Sequence, residues 1–379
     1  MSTFKLHGRA FVDGAVRDDT LITVRDGVIE DVAQTPAPTG AERVDGLIVP
    51  GFVDVHVHGG DGADFMDGDP EANSRVLRFH AAHGTTALAA TTLTASRSDL
   101  QHAVKGVAQA VASQKSATAE VCAVHLEGPY INTESAGAQD RASIRPADIQ
   151  EIASLLDEIP DVRWIITIAP EIGGARALIE HYRGRVLFSV GHTAADYAET
   201  VAALEWGAAH FTHLFNAMTG MHHREPGVVG AALVSTSATA EVIADGVHVH
   251  PAVLRMAVMA MPNRVALVTD AMRAAGKPDG MYKLYGHQIQ VTDGTARMAN
   301  RALAGSLLTM NRAVQNMVEL AGLPIESVIP LATEIPARIL GVGNRKGKIE
   351  GRYDADLVVL TPKFDVERVW CRGRPLSTA

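Results

Sequence analysis

Two histidines spaced by one residue close an apolar run in "GFVDVHVHGG", Gly51 to Gly60. In a β-strand successive side chains point to opposite faces, so His56 and His58 would share one face with Asp54. Paired imidazoles at a strand end can grip a metal ion. Other ligand-type residues end other apolar stretches: Glu127 in "HLEGP", His192 in "GHT", His213 in "THLFNAM" and Asp270 in "VTDA". Each alone is ordinary, as a packed histidine, a helix cap or a rim ion pair. Together they are four imidazoles and two carboxylates, each at the end of an expected strand. Such nitrogen and oxygen donors suit zinc or another divalent transition ion rather than calcium. Asp54 would either orient a ligand from behind or hydrogen-bond within the strand layer. The Gly59-Gly60 pair suits a turn with positive φ at a crowded rim.

Elements must bring these residues together. Eight apolar stretches have strand texture: "FVDVHVH", "TTALAATTLT", "EVCAVHLEG", "VRWIITIAP", "RVLFSVGHT", "AAHFTHLFN", "ATAEVIADGVH" and "NRVALVTDA". Helical patterns lie between most of them. "SDLQHAVKGVAQAVASQK" opens on a Ser or Asp cap, and "TAADYAETVAALEWG" ends on a glycine suited to a C-cap. The alternation predicts an α/β fold, a (β/α)8 TIM-like barrel, in which all strand C-termini converge on one rim. An open doubly wound sheet is the alternative, but no Gly-rich phosphate fingerprint follows the first strand. Both ends of the chain are β-rich with Asp-Gly turns, and "VRDGVIEDV" reads as a tight hairpin. The expected organisation is a small β-sandwich domain from residues 1–50 and 345–379, around a barrel over 51–344 with a β-hairpin insertion near 276–303. The methionines of "LRMAVMAMP" are expected in a helix core.

Composition narrows the class. The chain has 379 residues and a formal net charge of -9, with no dominant basic patch, which argues against nucleic acid. No apolar run reaches the ~20 residues of a membrane span, and the N-terminus lacks a signal-peptide core. Cys122 and Cys371 are too few for a disulfide framework or a thiolate zinc site. These features predict a cytoplasmic protein.

The set "GFVDVHVHG", "GHT", "THLFNAM" and "LVTDA", with β-rich flanks, resembles the amidohydrolase superfamily. Within it, "HLEGPY", "REPGVVGAAL", "IADGVHVHP", "LVTDAM" and "LAGSLLTM" resemble the deacetylases of N-acetylglucosamine 6-phosphate across nearly the whole chain. The resemblance implies hydrolysis of an acetamide on a phosphorylated amino sugar, with one or two divalent cations per subunit: zinc first, with iron, manganese or cobalt as alternatives. It implies that Glu127, His192 and His213 hold the principal ion and that Asp270 is the catalytic acid/base. His56 and His58 match the superfamily's first-strand pair and leave a second ion open, with Glu127 placed to bridge. It also implies substrate contacts from Ala138, Gln139, Asn216, Ala217, Leu303, Ala304 and Gly305, and a homodimer.

Gln139 stands where relatives often carry a histidine; it would orient the sugar or the carbonyl, or leave more of the charge stabilisation to the metal. Arg224 in "HHREPG" has the planar fork that matches phosphate oxygens, and its plain alternative is an ion pair with Glu225. It could serve a neighbouring subunit. His248 is a second candidate for ligand contact. Two other functions compete: a relative that opens cyclic amides or deaminates a ring, and a catalytically silent barrel. The first often bridges two metals with a modified lysine, and "EVCAVHLEGPY" has none. The second would be expected to have lost ligands.

Overall fold

The computed structural model describes residues 3–113 and 117–376, so the end of the expected helix at Gln114 and Lys115 lies outside the described residues. Eight strands pair in sequence order, every pair parallel. They are β1 (Phe52–Val57), β2 (Thr85–Thr92), β3 (Glu120–Glu127), β4 (Arg163–Ile168), β5 (Val186–Val190), β6 (His210–Phe211), β7 (Thr239–Ile243) and β8 (Val265–Val268). All eight arise within the apolar stretches above.

The sheet closes where β8 returns to β1. Asp270 N donates to His56 O at 2.9 Å, just beyond the strand end. Asp54 completes this seam. Its carboxylate accepts from Thr269 Oγ1 at 2.6 Å and from the main-chain N–H groups of Thr269 and His56. It reaches no imidazole, so its role is to join the first and last strands. The open doubly wound alternative is thereby excluded.

Helices lie between strands, as a parallel crossover requires. The first long helix runs Arg97–Ala112 and is capped by Ser96, ahead of the expected Ser98 or Asp99, because the Ser96 hydroxyl accepts from Asp99 N. Helix Tyr197–Trp206 starts in a capping box, Asp196 with Glu199, and ends at Gly207. Helix Pro251–Ala260 departs from expectation. Met261 is buried, but Met256 and Met259 face outward, the latter 70% exposed. They are three positions apart, so they share an outer face.

The terminal segments meet in one seven-stranded sheet. Leu357–Leu360 pairs antiparallel with Glu42–Pro50, so the returning chain lies beside the strand that leads into the barrel. Asp26 and Gly27 both have positive φ between paired Arg25 and Val28, the geometry of a two-residue hairpin. Where this sheet meets β3, the buried Lys346 ammonium lies 2.6 Å from Asp356, 2.9 Å from Asp354 and 3.0 Å from Glu120. The expected hairpin is a three-stranded meander, Gly280–Leu284, His287–Thr292 and Thr295–Met298. No helix among the described residues is long and apolar enough to cross a membrane. Both cysteines are buried free thiols pushed up to about 12 by burial.

Candidate metal centre and substrate cavity

The C-terminal ends of the strands carry the ligand-type residues to one rim. Glu127 is the last residue of β3, and His192 and His213 lie two residues beyond β5 and β6. His192, His213 and Asp270 have φ of 49°, 28° and 47°, a left-handed backbone that costs energy in non-glycine residues. Such strain aims the side chains inward as the chain leaves the strands.

The donors converge on Glu127. Its Oε1 lies 3.0 Å from His213 Nε2, 3.2 Å from His192 Nε2 and 3.4 Å from His56 Nε2. Its Oε2 lies 3.2 Å from His58 Nε2. Asp270 Oδ1 is 3.2 Å from His58 Nε2 and 3.6 Å from His56 Nε2. The two groups Glu127/His192/His213 and His56/His58/Glu127 each have the spacing of a metal site and share the glutamate.

Hydrogen bonding tests whether these residues fit a cation. His192 Nδ1 is 2.8 Å from the Ser135 carbonyl, which can only accept, so Nδ1 carries a proton. Nε2 is then the ring nitrogen left to hold an ion. That nitrogen faces the Glu127 carboxylate and, at 3.0 Å, His213 Nε2. His56 repeats the pattern: Nδ1 donates to Glu241 at 2.8 Å, and Nε2 lies 3.2 Å from His58 Nε2. Lone pairs facing one another across a buried carboxylate repel unless protons or a cation lie between them. A divalent cation satisfies all of them at once.

Protons are the other way to satisfy them: burial opposes a charged His56, yet Glu127, Glu241 and Asp270 hold its pKa well above the usual imidazole value. Burial opposes ionisation of Glu127, yet His56, His192 and His213 hold it well below the usual carboxylate range. Burial likewise raises Asp270, but His56 and His58 outweigh it and the carboxyl stays ionised at neutral pH. By contrast, His125 in β3 donates from Nδ1 to Val55 O and accepts at Nε2 from Thr167, and burial, then His56, lowers it to about 3. His125 is therefore a neutral core residue despite lying near His56 and Glu241.

Above the centre is a cavity of about 460 Å³, within the range of small-molecule sites. Its wall includes His58, Glu127, Gln139, His192, His213 and Asp270, and also Ala138, Asn216, Ala217, His248, Leu303 and Gly305. Ala304 differs: its side chain is buried in the apolar core beside the meander. His248 Nδ1 pairs with Asp245 at 2.6 Å; burial lowers its pKa, and Asp245 more than offsets this. Gln139 has both ends of its amide engaged, Nε2 on Glu127 Oε2 at 2.5 Å and Oε1 on Thr94 N at 2.7 Å. These bonds tie it to Glu127 and to the β2 end while it still lines the cavity.

Arg224 lies on an exposed loop outside this wall, with its guanidinium on His223 Nε2 at 2.7 Å. The alternative pairing with Glu225 does not form among the described ion pairs. The cavity's described lining holds neither lysine nor arginine. The Gly59-Gly60 reading also needs correction. Neither has positive φ; the turn falls on Asp61 and Gly62. Glycine is needed because a Cβ at Gly59 would sit 2.3 Å from Ala63 O, and one at Gly60 2.4 Å from the Phe79 ring. Sequence reading missed Glu241, whose only signal is a glutamate inside the apolar run "AEVIAD".

A parallel eight-stranded barrel with imidazoles and carboxylates gathered at its C-terminal rim defines a metal-dependent hydrolase scaffold. Residues 47–376 match the amidohydrolase family, and the chain belongs to it. Among curated relatives, an N-acetylgalactosamine-6-phosphate deacetylase of Escherichia coli O157:H7 is 38% identical over 361 residues, 95% of each chain. An N-acetylglucosamine-6-phosphate deacetylase of Bacillus subtilis (strain 168) is 36% identical over 93% of this chain and 91% of its own. A mutant N-acetyl-D-glucosamine-6-phosphate deacetylase from Mycobacterium smegmatis, solved in complex with N-acetyl-D-glucosamine-6-phosphate, superposes with TM-score 0.93. It is 35% identical, and all of both chains is covered.

Proposed function

We infer that this protein is a metal-dependent deacetylase that hydrolyses the acetamide of N-acetyl-D-glucosamine 6-phosphate to D-glucosamine 6-phosphate and acetate. The observation that carries it is the convergence of the His192 and His56 Nε2 atoms, each with its Nδ1 held by an acceptor, on the buried Glu127 carboxylate beside the ionised Asp270. Relatives named for this reaction span nearly the full chain.

Glu127, His192 and His213 would hold the principal cation, with His56 and His58 for a second. A bound ion there supplies Lewis acidity toward water and the acetamide carbonyl. Asp270 accepts the proton released as water oxygen adds to the carbonyl carbon. It returns that proton to the nitrogen as the C–N bond breaks. Gln139 fixes Glu127, and Asn216, whose amide donates to His213 O at 3.2 Å, stiffens the loop behind the ligand. His248, braced by Asp245, presents an imidazole to the sugar.

The phosphate dianion needs positive charge, and the described cavity wall holds neither lysine nor arginine. In the expected homodimer, Arg224 from a second copy would meet it. A second substrate reading, the galacto epimer, is favoured by the 38% identity to the N-acetylgalactosamine-6-phosphate deacetylase.

Acetate release from the gluco and galacto 6-phosphates and from unphosphorylated N-acetylglucosamine tests the set. Turnover fastest on the gluco 6-phosphate is expected, and no acetate from either phosphate would refute the reading. Arg224→Ala should raise KM for the phosphorylated sugar at least tenfold and leave the unphosphorylated one unchanged. Equal losses on both would remove the phosphate role.

A further inference from the structure

Beneath the rim lies a buried carboxylate that the reaction above does not use. Glu241, in β7, is fully buried. Its Oε2 accepts from His56 Nδ1 at 2.8 Å and from the main-chain N–H of His213 at 3.0 Å. Its Oε1 faces His210 Nε2 at 3.1 Å. A buried charge is tolerated only where such partners surround it. Here every near neighbour is a hydrogen-bond donor or an imidazole.

We propose that Glu241 is a positioning residue that fixes His56 with its proton on Nδ1 and its lone pair on Nε2, and so makes the His56/His58/Glu127 group competent to hold a second divalent cation. The carboxylate can only accept, so the His56 tautomer has no freedom. A carboxylate behind a ligating imidazole also raises the basicity of the nitrogen that faces the metal. The same oxygen tethers His213 through its backbone, so one side chain from β7 aligns ligands arriving from β1 and from the end of β6.

The neighbouring polar groups leave this role to Glu241. Asp54 is committed to the β1–β8 seam. His125 spends its only ring proton on the Val55 carbonyl. The third group with metal-like spacing, His56/His125/Glu241, is accordingly a hydrogen-bonded support and not a site.

The inference rests on the metal-centre reading above, and metal affinity tests it separately from turnover. Wild type and Glu241→Gln are stripped and reloaded across buffered free Zn²⁺, and bound zinc is counted by mass spectrometry. Glutamine keeps an acceptor for His213 N but loses the charge behind His56. The second ion's affinity is expected to fall 10–100-fold, with the first ion's changed less than threefold. Loss of both ions alike, loss of neither, or a wild type that binds one ion regardless of His56→Ala overturns the proposal.

Should the glutamine variant fail to fold, wild-type protein labelled with ¹⁵N-histidine and loaded with ¹¹³Cd decides. Cadmium coupling to His56 Nε2 with a proton on Nδ1 is expected; coupling to Nδ1 overturns the proposal. Wild type that shows this coupling but releases no acetate would refute the deacetylase reading and leave the role of Glu241 standing.

Discussion

Replacing Asp270 with asparagine isolates the proton transfer from everything else the residue does. The backbone at Asp270 has φ of 47°, a left-handed conformation that asparagine tolerates about as well as aspartate. Its main-chain bonds, N to His56 O at 2.9 Å and O from Ser306 N at 2.7 Å, do not involve the side chain. The amide keeps an oxygen where Oδ1 sits, 3.2 Å from His58 Nε2. It cannot take a proton. General acid–base assistance is worth roughly 10²–10⁴ in rate, or about 3–5 kcal/mol of barrier. Asp270→Asn should therefore lower kcat on the 6-phosphate by 10²–10⁴, with KM within threefold and metal content unchanged. A coupled acetate assay and elemental analysis of the same preparation give the three numbers. A kcat within tenfold of wild type refutes the assignment of Asp270 as the base. A loss of kcat with metal lost in parallel would show that the charge serves the centre and not the proton.

Other tests follow from the same geometry. His56→Ala should remove one equivalent of metal per chain where two are bound, and unchanged metal content would free the first-strand pair from any ligand role. Prolonged chelation should abolish acetate release, and added Zn²⁺ should restore it; full activity after stripping would end the metal reading. Glu120→Gln leaves the buried Lys346 with fewer acceptors and should cost about 2–3 kcal/mol in urea unfolding at pH 7. Burial raises the Glu120 pKa, but Arg345 and Lys346 lower it by more. Its contribution is therefore full above the ordinary value of 4.5 and lost as pH falls below it, so the variant should lose its disadvantage in acid. His80 is lowered by burial from 6.5 to about 4. Between those values the unfolded chain binds a proton that the native state does not, so stability is full above 6.5 and declines as pH falls. Wild type should lose about 2 kcal/mol more than His80→Gln between pH 7 and pH 5, and equal slopes would refute the burial argument.

Local sequence determined the strands, because period and composition act within a few residues. "VRDGVIEDV" could only turn at Asp26-Gly27, and each apolar stretch that ends in a ligand-type residue became a barrel strand. The identity of Glu127, His192, His213, His56, His58 and Asp270 as a possible donor set was likewise legible, since parallel barrels send all strand ends to one rim. What the alternation of side chains cannot say is which residue of a distant strand lies beside them. Closure of the barrel decided that. It turned Asp54 into the seam between β1 and β8 and brought Glu241 of β7 behind His56, while the fold of the loop after β3 set Gln139 on Glu127. Close approach of Ala63 and Phe79, not φ, demands Gly59 and Gly60. Met256 and Met259 look like core in sequence because apolarity alone does not tell which face of a helix finds a partner. The placement of Arg224 outside its own chain's cavity follows from the direction of an exposed loop, a property of the folded surface that residue types do not encode.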